Sequence, residues 1–143
     1  ASKKLFTQAL KEGMEGWTQS YADVVYRTNL TNSYAAGTAE MARDPDVADV
    51  IVGMSYETVG DGLVRPNHAA ADKFIASTRD PIWKSRGLIP PLGYNCRCAL
   101  RMVDKWEAER KGLILPSGIM KQSRPPGFEE AGPDENFRPG AET

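Results

Sequence analysis

Residues 61–98 constrain the fold of this 143-residue chain more than any other segment. They hold the side chains best suited to bind a soft metal or to exchange a proton near neutral pH, namely the single histidine and both cysteines: His68, Cys96 and Cys98. Buried polar groups need partners. The fold must therefore bring these side chains together or leave them in water.

Length and composition predict one domain with a modest core. Hydrophobic residues make up 41% of the chain, and the net charge of −1 gives no overall basic field that would favour nucleic acid. No apolar run approaches the roughly 20 residues of a membrane span, so we expect no membrane contact. Cysteines separated by one residue would form a strained disulfide. We expect them to be reduced, as in the cytosol.

Hydrophobic spacing and capping residues predict an α+β fold. The expected elements are helices over 2–19 and 20–43, a strand over 48–59, a short helix over 66–71, mostly loop over 72–95 with a helical turn at 81–84, a strand over 95–103 and a helix over 104–111. Two N-terminal helices should pack on a small, mainly antiparallel sheet covered by long ordered loops. The predicted organisation is a helix or linker over 1–19, a domain over 20–115 and a Pro- and Gly-rich, extended or disordered tail over 116–143.

A polar network is expected between the second helix and the 61–98 segment. Threonine and asparagine, which disfavour helix interiors, are frequent in that helix, and a carboxylate at Asp61 suits the arginine fork. We predict a network whose members are Arg27, Thr28, Asp61, Arg65, His68 and Asn95. We favour a structural role for it. The catalytic alternative, His68 as a general base oriented by Asp61, has no obvious nucleophile.

The two cysteines leave a choice between metal binding and packing. Cys96 and Cys98 can supply two thiolates to zinc, and His68 with Asp61 would complete a tetrahedral set. Free cysteines are also common as small buried packing groups. The sequence therefore predicts either a structural zinc site or a metal-free core without a cofactor.

Two further features invite partner binding. Phe128 and Phe137 are isolated aromatics in the tail and would anchor it in a partner's groove, if it is not simply inert. Basic residues that invite a DNA contact, with ordinary solvated surface as the alternative, are Lys84, Arg86, Arg97, Arg101, Lys105, Arg110 and Lys111. No pattern indicates a small-molecule substrate.

In the order and spacing of its motifs the chain resembles the phage Mu F-like head-morphogenesis family over roughly 20–140. The motifs are Tyr26-Arg27-Thr28-Asn29-Leu30, Tyr56-Glu57-Thr58-Val59-Gly60-Asp61, the run from Asp61 through Arg65 to His68, Asp80-Pro81-Ile82-Trp83, Pro90-Pro91-Leu92-Gly93-Tyr94-Asn95-Cys96-Arg97-Cys98 and Pro133-Asp134-Glu135-Asn136-Phe137-Arg138-Pro139-Gly140. The resemblance implies a non-enzymatic minor head protein, encoded by a phage or prophage, that helps assemble the procapsid.

The implied partners are portal, capsid or scaffold proteins. The implied locations are the host cytoplasm during assembly and then the head interior near the portal. Two alternatives stay open. One is a toxin-type enzyme similar to ADP-ribosyltransferases, with Arg27, Tyr56 and Glu57 in a nicotinamide site. The other is a protein that contacts DNA near the portal.

Overall fold

The computed structural model describes residues 3–5, 8, 19–93, 96–135 and 137. A long helix lies against a three-stranded antiparallel sheet, which confirms the predicted α+β class. The elements are α1 (Gln19–Ala42), β1 (Ile51–Glu57), α2 (Pro66–Ala69), β2 (Ile75–Ser77), α3 (Ile82–Ser85), β3 (Ala99–Asp104) and α4 (Lys105–Arg110), with 3₁₀ helices at Pro45–Val47 and Phe128–Glu130. The predicted first helix falls largely outside the described residues; those described there, 3–5, 8 and 19, are helical.

Helix α1 packs through a face of small residues. Ala35, Ala39 and Ala42 are buried on this face, and their short side chains allow the helix to approach the sheet closely. The helix ends before Pro45, as predicted, because proline disfavours helical geometry in the preceding residue. In the described part of the chain, no helix combines the length and the apolar composition needed to span a bilayer.

The sheet has the order β2-β1-β3. Strands β1 and β3 were expected, and their register pairs Met54 with Met102 and Tyr56 with Leu100. Strand β2 was not expected, because the prediction assigned 72–95 mostly to loop. It has only three residues, Ile75–Ser77, which is too short to show an alternation. It is recognisable only through its pairing with β1.

A β-bulge between Ile51 and Gly53 changes which side chains of β1 face the main core. For the strand expected over 48–59, a regular alternation would place Val52 on the same face as Met54 and Tyr56. In the structure Ile51 packs with Met54 and Tyr56, while Val52 joins a second cluster. An extra residue in one strand shifts the alternation by one. Gly53 is needed here, because a Cβ would lie 2.9 Å from the backbone carbonyl oxygen of Ala76 on the paired strand β2.

The main core is built on aromatic side chains and extends into the tail. Phe74 stacks on Phe128 with ring centroids 4.3 Å apart and meets Trp83 edge-on at 5.2 Å. Phe128 is 2% exposed and Phe137 is 4% exposed. Both predicted partner-binding anchors are therefore buried in this chain's own domain. The described part of the tail is docked, because its apolar side chains complete a core that the shorter domain would leave open.

Arg86 fastens the docked tail. Its Nη2 donates to the carbonyl oxygens of Phe128, Glu129 and Ala131 at 3.1, 3.3 and 2.8 Å. Its guanidinium also lies 4.6 Å from the centre of the Phe128 ring. One planar cation thus holds both the backbone and the ring of the 3₁₀ turn in the tail.

Candidate functional site

The side chains of His68, Cys96 and Cys98 converge below the loop that follows β1. One ligand atom from each lies within 4.8 Å of the other two, and all three residues are buried. The sequence left open whether these three side chains meet, and the structure brings them together. Buried imidazole nitrogen and thiol sulfur atoms at this separation can bind a soft metal ion or take part in thiol chemistry.

Local backbone geometry explains how these residues meet. Pro66 occupies the first turn of α2, where proline is tolerated, and α2 presents His68 inward. Residues 96–100 alternate between buried and exposed, so Cys96 and Cys98 face the interior while Arg97 faces outward. Thr31 Oγ1 of α1 donates to the carbonyl oxygen of Cys96 at 3.0 Å and fixes this segment against the helix.

Asp134 of the tail orients the histidine. Its Oδ1 lies 2.9 Å from His68 Nε2 and accepts from Asn67 Nδ2 at 2.9 Å, while its Oδ2 lies 3.0 Å from Arg65 Nη1. The backbone N–H of Asp134 donates to the carbonyl oxygen of Leu92 at 2.6 Å. The predicted site did not include this residue. The family-like motif at 133–140 marks its neighbourhood, but nothing in that motif indicates contact with His68.

Asp61 occupies a different place from the one predicted. Arg97 Nη1 and Nη2 donate to its two carboxylate oxygens at 2.8 and 2.9 Å on the surface, so it does not join the histidine and cysteines. Arg65, its expected partner, turns to Asp134 instead. Thr28 is buried in α1 and Arg27 borders the cavity above the cluster. Asn95 lies outside the described residues.

Tyr56 places a phenol beside the two thiols. Its side chain is fully buried, and its hydroxyl has no hydrogen-bond partner among the described residues. Burial and the nearby charge of Cys98 and Cys96 raise the pKa of Tyr56 well above its usual range. The hydroxyl is therefore a permanent donor directed at sulfur without a completed hydrogen bond.

The cluster shares its protons unevenly. A hydrogen bond from Cys98 and one from His68 outweigh burial and lower the pKa of Cys96, whereas the same contact and burial raise the pKa of Cys98. Burial alone would lower the pKa of His68, but the contacts with Cys96 and Asp134 raise it. Of the two thiols, Cys96 is therefore the one that loses its proton more readily.

A cavity of about 290 Å³ opens above the cluster. Its lining includes His68, Cys96 and Cys98, with Arg27, Arg65 and Arg97 among its other residues. Two chemistries fit this arrangement: a metal held by three donors, and a thiol nucleophile with a histidine base oriented by a carboxylate. A histidine-activated nucleophile needs only one of the two thiols, whereas a metal can use both as ligands. A larger groove of about 1050 Å³ lies elsewhere, between α1 and the segment around Trp83.

The enzymatic and DNA-binding alternatives find little support in these positions. Tyr56 and Glu57 are neighbours in β1 and point to opposite faces of the sheet, so they do not share a nicotinamide site. Several of the expected DNA-contacting cations have acidic partners within the chain: Arg97 binds Asp61, and both Arg101 and Lys111 bind Glu107.

The family model described as Phage Mu protein F like protein matches residues 2–101, more than half of the chain. The chain belongs to this family. The resemblance drawn from the motifs is thereby confirmed. Within the Mu F-like family, the putative capsid assembly protein F of Escherichia phage Mu is 31% identical over 94 residues. That alignment covers 66% of this chain and 20% of the relative, so the chain spans about a fifth of the relative's length. No solved structure shows a significant match.

The family match divides the candidate site. His68, Cys96 and Cys98 lie within the matched residues 2–101, and so does Tyr56. Asp134, which orients the histidine, lies beyond them.

Proposed function

We propose that this Mu F-like chain acts in the assembly of a tailed-phage head, as a minor head protein or part of one, by binding other head proteins and without catalysing a reaction. The observation that carries the proposal is membership of the family together with the likeness to the putative capsid assembly protein of phage Mu. The gene would belong to a phage or prophage.

The outer face of α1 is the contact surface that the structure favours. Leu30, Tyr34 and Met41 are 39%, 70% and 61% exposed. At helical spacing they form one stripe, roughly opposite the buried alanines. Exposed apolar side chains in a stripe, unlike scattered ones, are typical of helices that bind a partner protein.

The portal is the partner we propose for this face, and capsid and scaffold proteins are the other candidates. The choice of the portal rests on the family resemblance. With this partner, the protein would be in the host cytoplasm during assembly and inside the head near the portal afterwards. A few copies bound to the portal would need a compact surface of this kind.

Binding to the portal protein of the same phage tests the proposal. Tyr34→Asp should weaken binding, because truncating an interface anchor costs about 2 kcal/mol, roughly a 30-fold rise in Kd. Ser33→Asp is the matched control, since it adds the same charge at a neighbouring exposed position of α1. Affinity would be measured by biolayer interferometry with purified proteins.

Equal affinity for both variants would exclude this face as the contact. Failure of the wild-type chain to bind portal, capsid and scaffold proteins would refute the proposed function itself. Binding to DNA that weakens steeply with salt would instead favour the DNA-contacting alternative.

A further inference from the structure

We propose that His68, Cys96 and Cys98 bind one zinc ion, with the fourth coordination position open to the cavity above them. The donor atoms already lie within 4.8 Å of one another. Ligand atoms of tetrahedral zinc lie about 3.5–3.8 Å apart, so an approach of about 1 Å completes the site. An imidazole and two thiolates are the donors that zinc prefers.

A carboxylate orients His68, as is usual for a histidine that binds zinc. Asp134 Oδ1 lies 2.9 Å from His68 Nε2, which leaves Nδ1 as the ring nitrogen that can face the thiols. Histidine ligands commonly place their second nitrogen against a carboxylate, which fixes the ring and strengthens the donor. Asn67 and Arg65 in turn hold Asp134. The supporting shell of a metal site is therefore complete on this side.

Tyr56 gives an independent indication on the other side. Its fully buried hydroxyl has no hydrogen-bond partner among the described residues and lies beside Cys96 and Cys98. A buried unsatisfied donor is costly. A metal-bound thiolate keeps its negative charge permanently and is an acceptor for such a donor. Zinc would therefore stabilise the charged acceptor that this buried hydroxyl needs.

The fourth position would be filled by water or by an oxygen ligand from outside. The cavity of about 290 Å³ reaches the three ligands, and Arg27, Arg65 and Arg97 are also among its lining residues. Asp61, the fourth ligand expected from the sequence, is bound to Arg97 instead. The ion would tie α2 to the segment before β3 and, through Asp134, to the tail.

Zinc itself is the probe for the first test. The reduced chain, purified without added chelator, would be weighed by native mass spectrometry and loaded with Zn(II) where needed. We expect one zinc per chain, lost on chelation together with part of the thermal stability. Co(II) in place of zinc should give the near-ultraviolet absorption of cobalt–thiolate bonds and the visible bands of a tetrahedral ion.

Substitutions separate the ligands from their neighbours. Cys98→Ser should reduce the cobalt–thiolate absorption, and Asp134→Asn should weaken zinc binding about 10-fold or more. Asp61→Asn is the matched control, because it changes a carboxylate near the same cavity that has no place in the site. It should leave zinc affinity unchanged.

Three results would overturn the proposal. The first is a folded, reduced chain that takes up neither zinc nor cobalt, whether or not Cys96 reacts rapidly with iodoacetamide. The second is a Cys96–Cys98 disulfide that persists when zinc is supplied under mild reduction. The third is a zinc affinity that Cys98→Ser and Asp134→Asn both leave unchanged. The test on wild-type protein keeps the proposal refutable if a variant fails to fold.

Discussion

Replacing Phe128 by alanine should destabilise the whole domain, although the residue lies in a segment whose composition predicts disorder. Core Phe→Ala changes cost about 3–5 kcal/mol. The upper end applies here, since Phe128 is 2% exposed and stacks on Phe74 at 4.3 Å, an aromatic pair worth about 0.5–1.5 kcal/mol more. Arg86 and Arg124 also lie 4.6 and 5.1 Å from the ring centre. We expect a loss of about 4–5 kcal/mol.

Thermal unfolding followed by circular dichroism measures this loss. For a chain of this size 1 kcal/mol shifts Tm by about 2–4 °C, so Phe128→Ala should lower Tm by about 10–15 °C. Ile119→Ala is the matched control: its side chain lies in the same tail but is 65% exposed. It should change stability by no more than about 0.5 kcal/mol.

Trypsin offers a local measurement of the same effect. Cleavage after Lys121 should be slow in the wild-type chain and fast in Phe128→Ala, because the tail would leave the core. A Phe128→Ala protein that unfolds at the wild-type temperature would refute the argument. The tail would then be free in solution.

Two further predictions concern charged contacts. Gly93→Ala should cost about 1–3 kcal/mol in thermal unfolding, because a Cβ there collides with the Asp134 carboxylate and with Arg65; Gly132→Ala, which meets nothing within 4 Å, is its control. Arg101 holds the pKa of Glu107 at about 2, so Glu107 stabilises the fold above its ordinary pKa of about 4.5 and loses that effect as pH falls through about 2. Since its partners are largely exposed, we expect roughly 1 kcal/mol. Urea unfolding should show the gap between wild type and Glu107→Gln closing over that range, and a constant gap would contradict it.

The elements that the sequence predicted correctly are those with local signals. Asp104 caps α4 by accepting from Glu107 N at 2.8 Å, and Gly112 follows the helix with φ of +69°. Both residue types are preferred at helix ends for local reasons, so the sequence alone can indicate them. Strand β2 and the bulge in β1 lack such signals. They arise from pairing between segments far apart in the sequence.

The part of the site that depends on residue type alone could be predicted from the sequence. The single histidine and the two cysteines are the candidates that residue type singles out, and they lie together in the structure. The pairing of carboxylates was not predictable in this way. Asp61 and Asp134 are equally suitable partners for an arginine. The fold decides the pairing, because it brings Arg97 to Asp61 and Arg65 to Asp134. Closeness in sequence favoured the wrong partner for Arg65.

The tail links the stability of the domain to the geometry of the site. Phe128 fills the main core, and Asp134, six positions later, orients His68. Arg86 holds the backbone at one end of this stretch, and the Leu92 carbonyl holds Asp134 at the other. A change that releases the ring from the core should therefore also loosen the histidine. Because Asp134 and Phe128 lie beyond the residues matched by the family model, a shortened chain ending near 101 would retain the three cluster residues but lose the carboxylate that orients one of them.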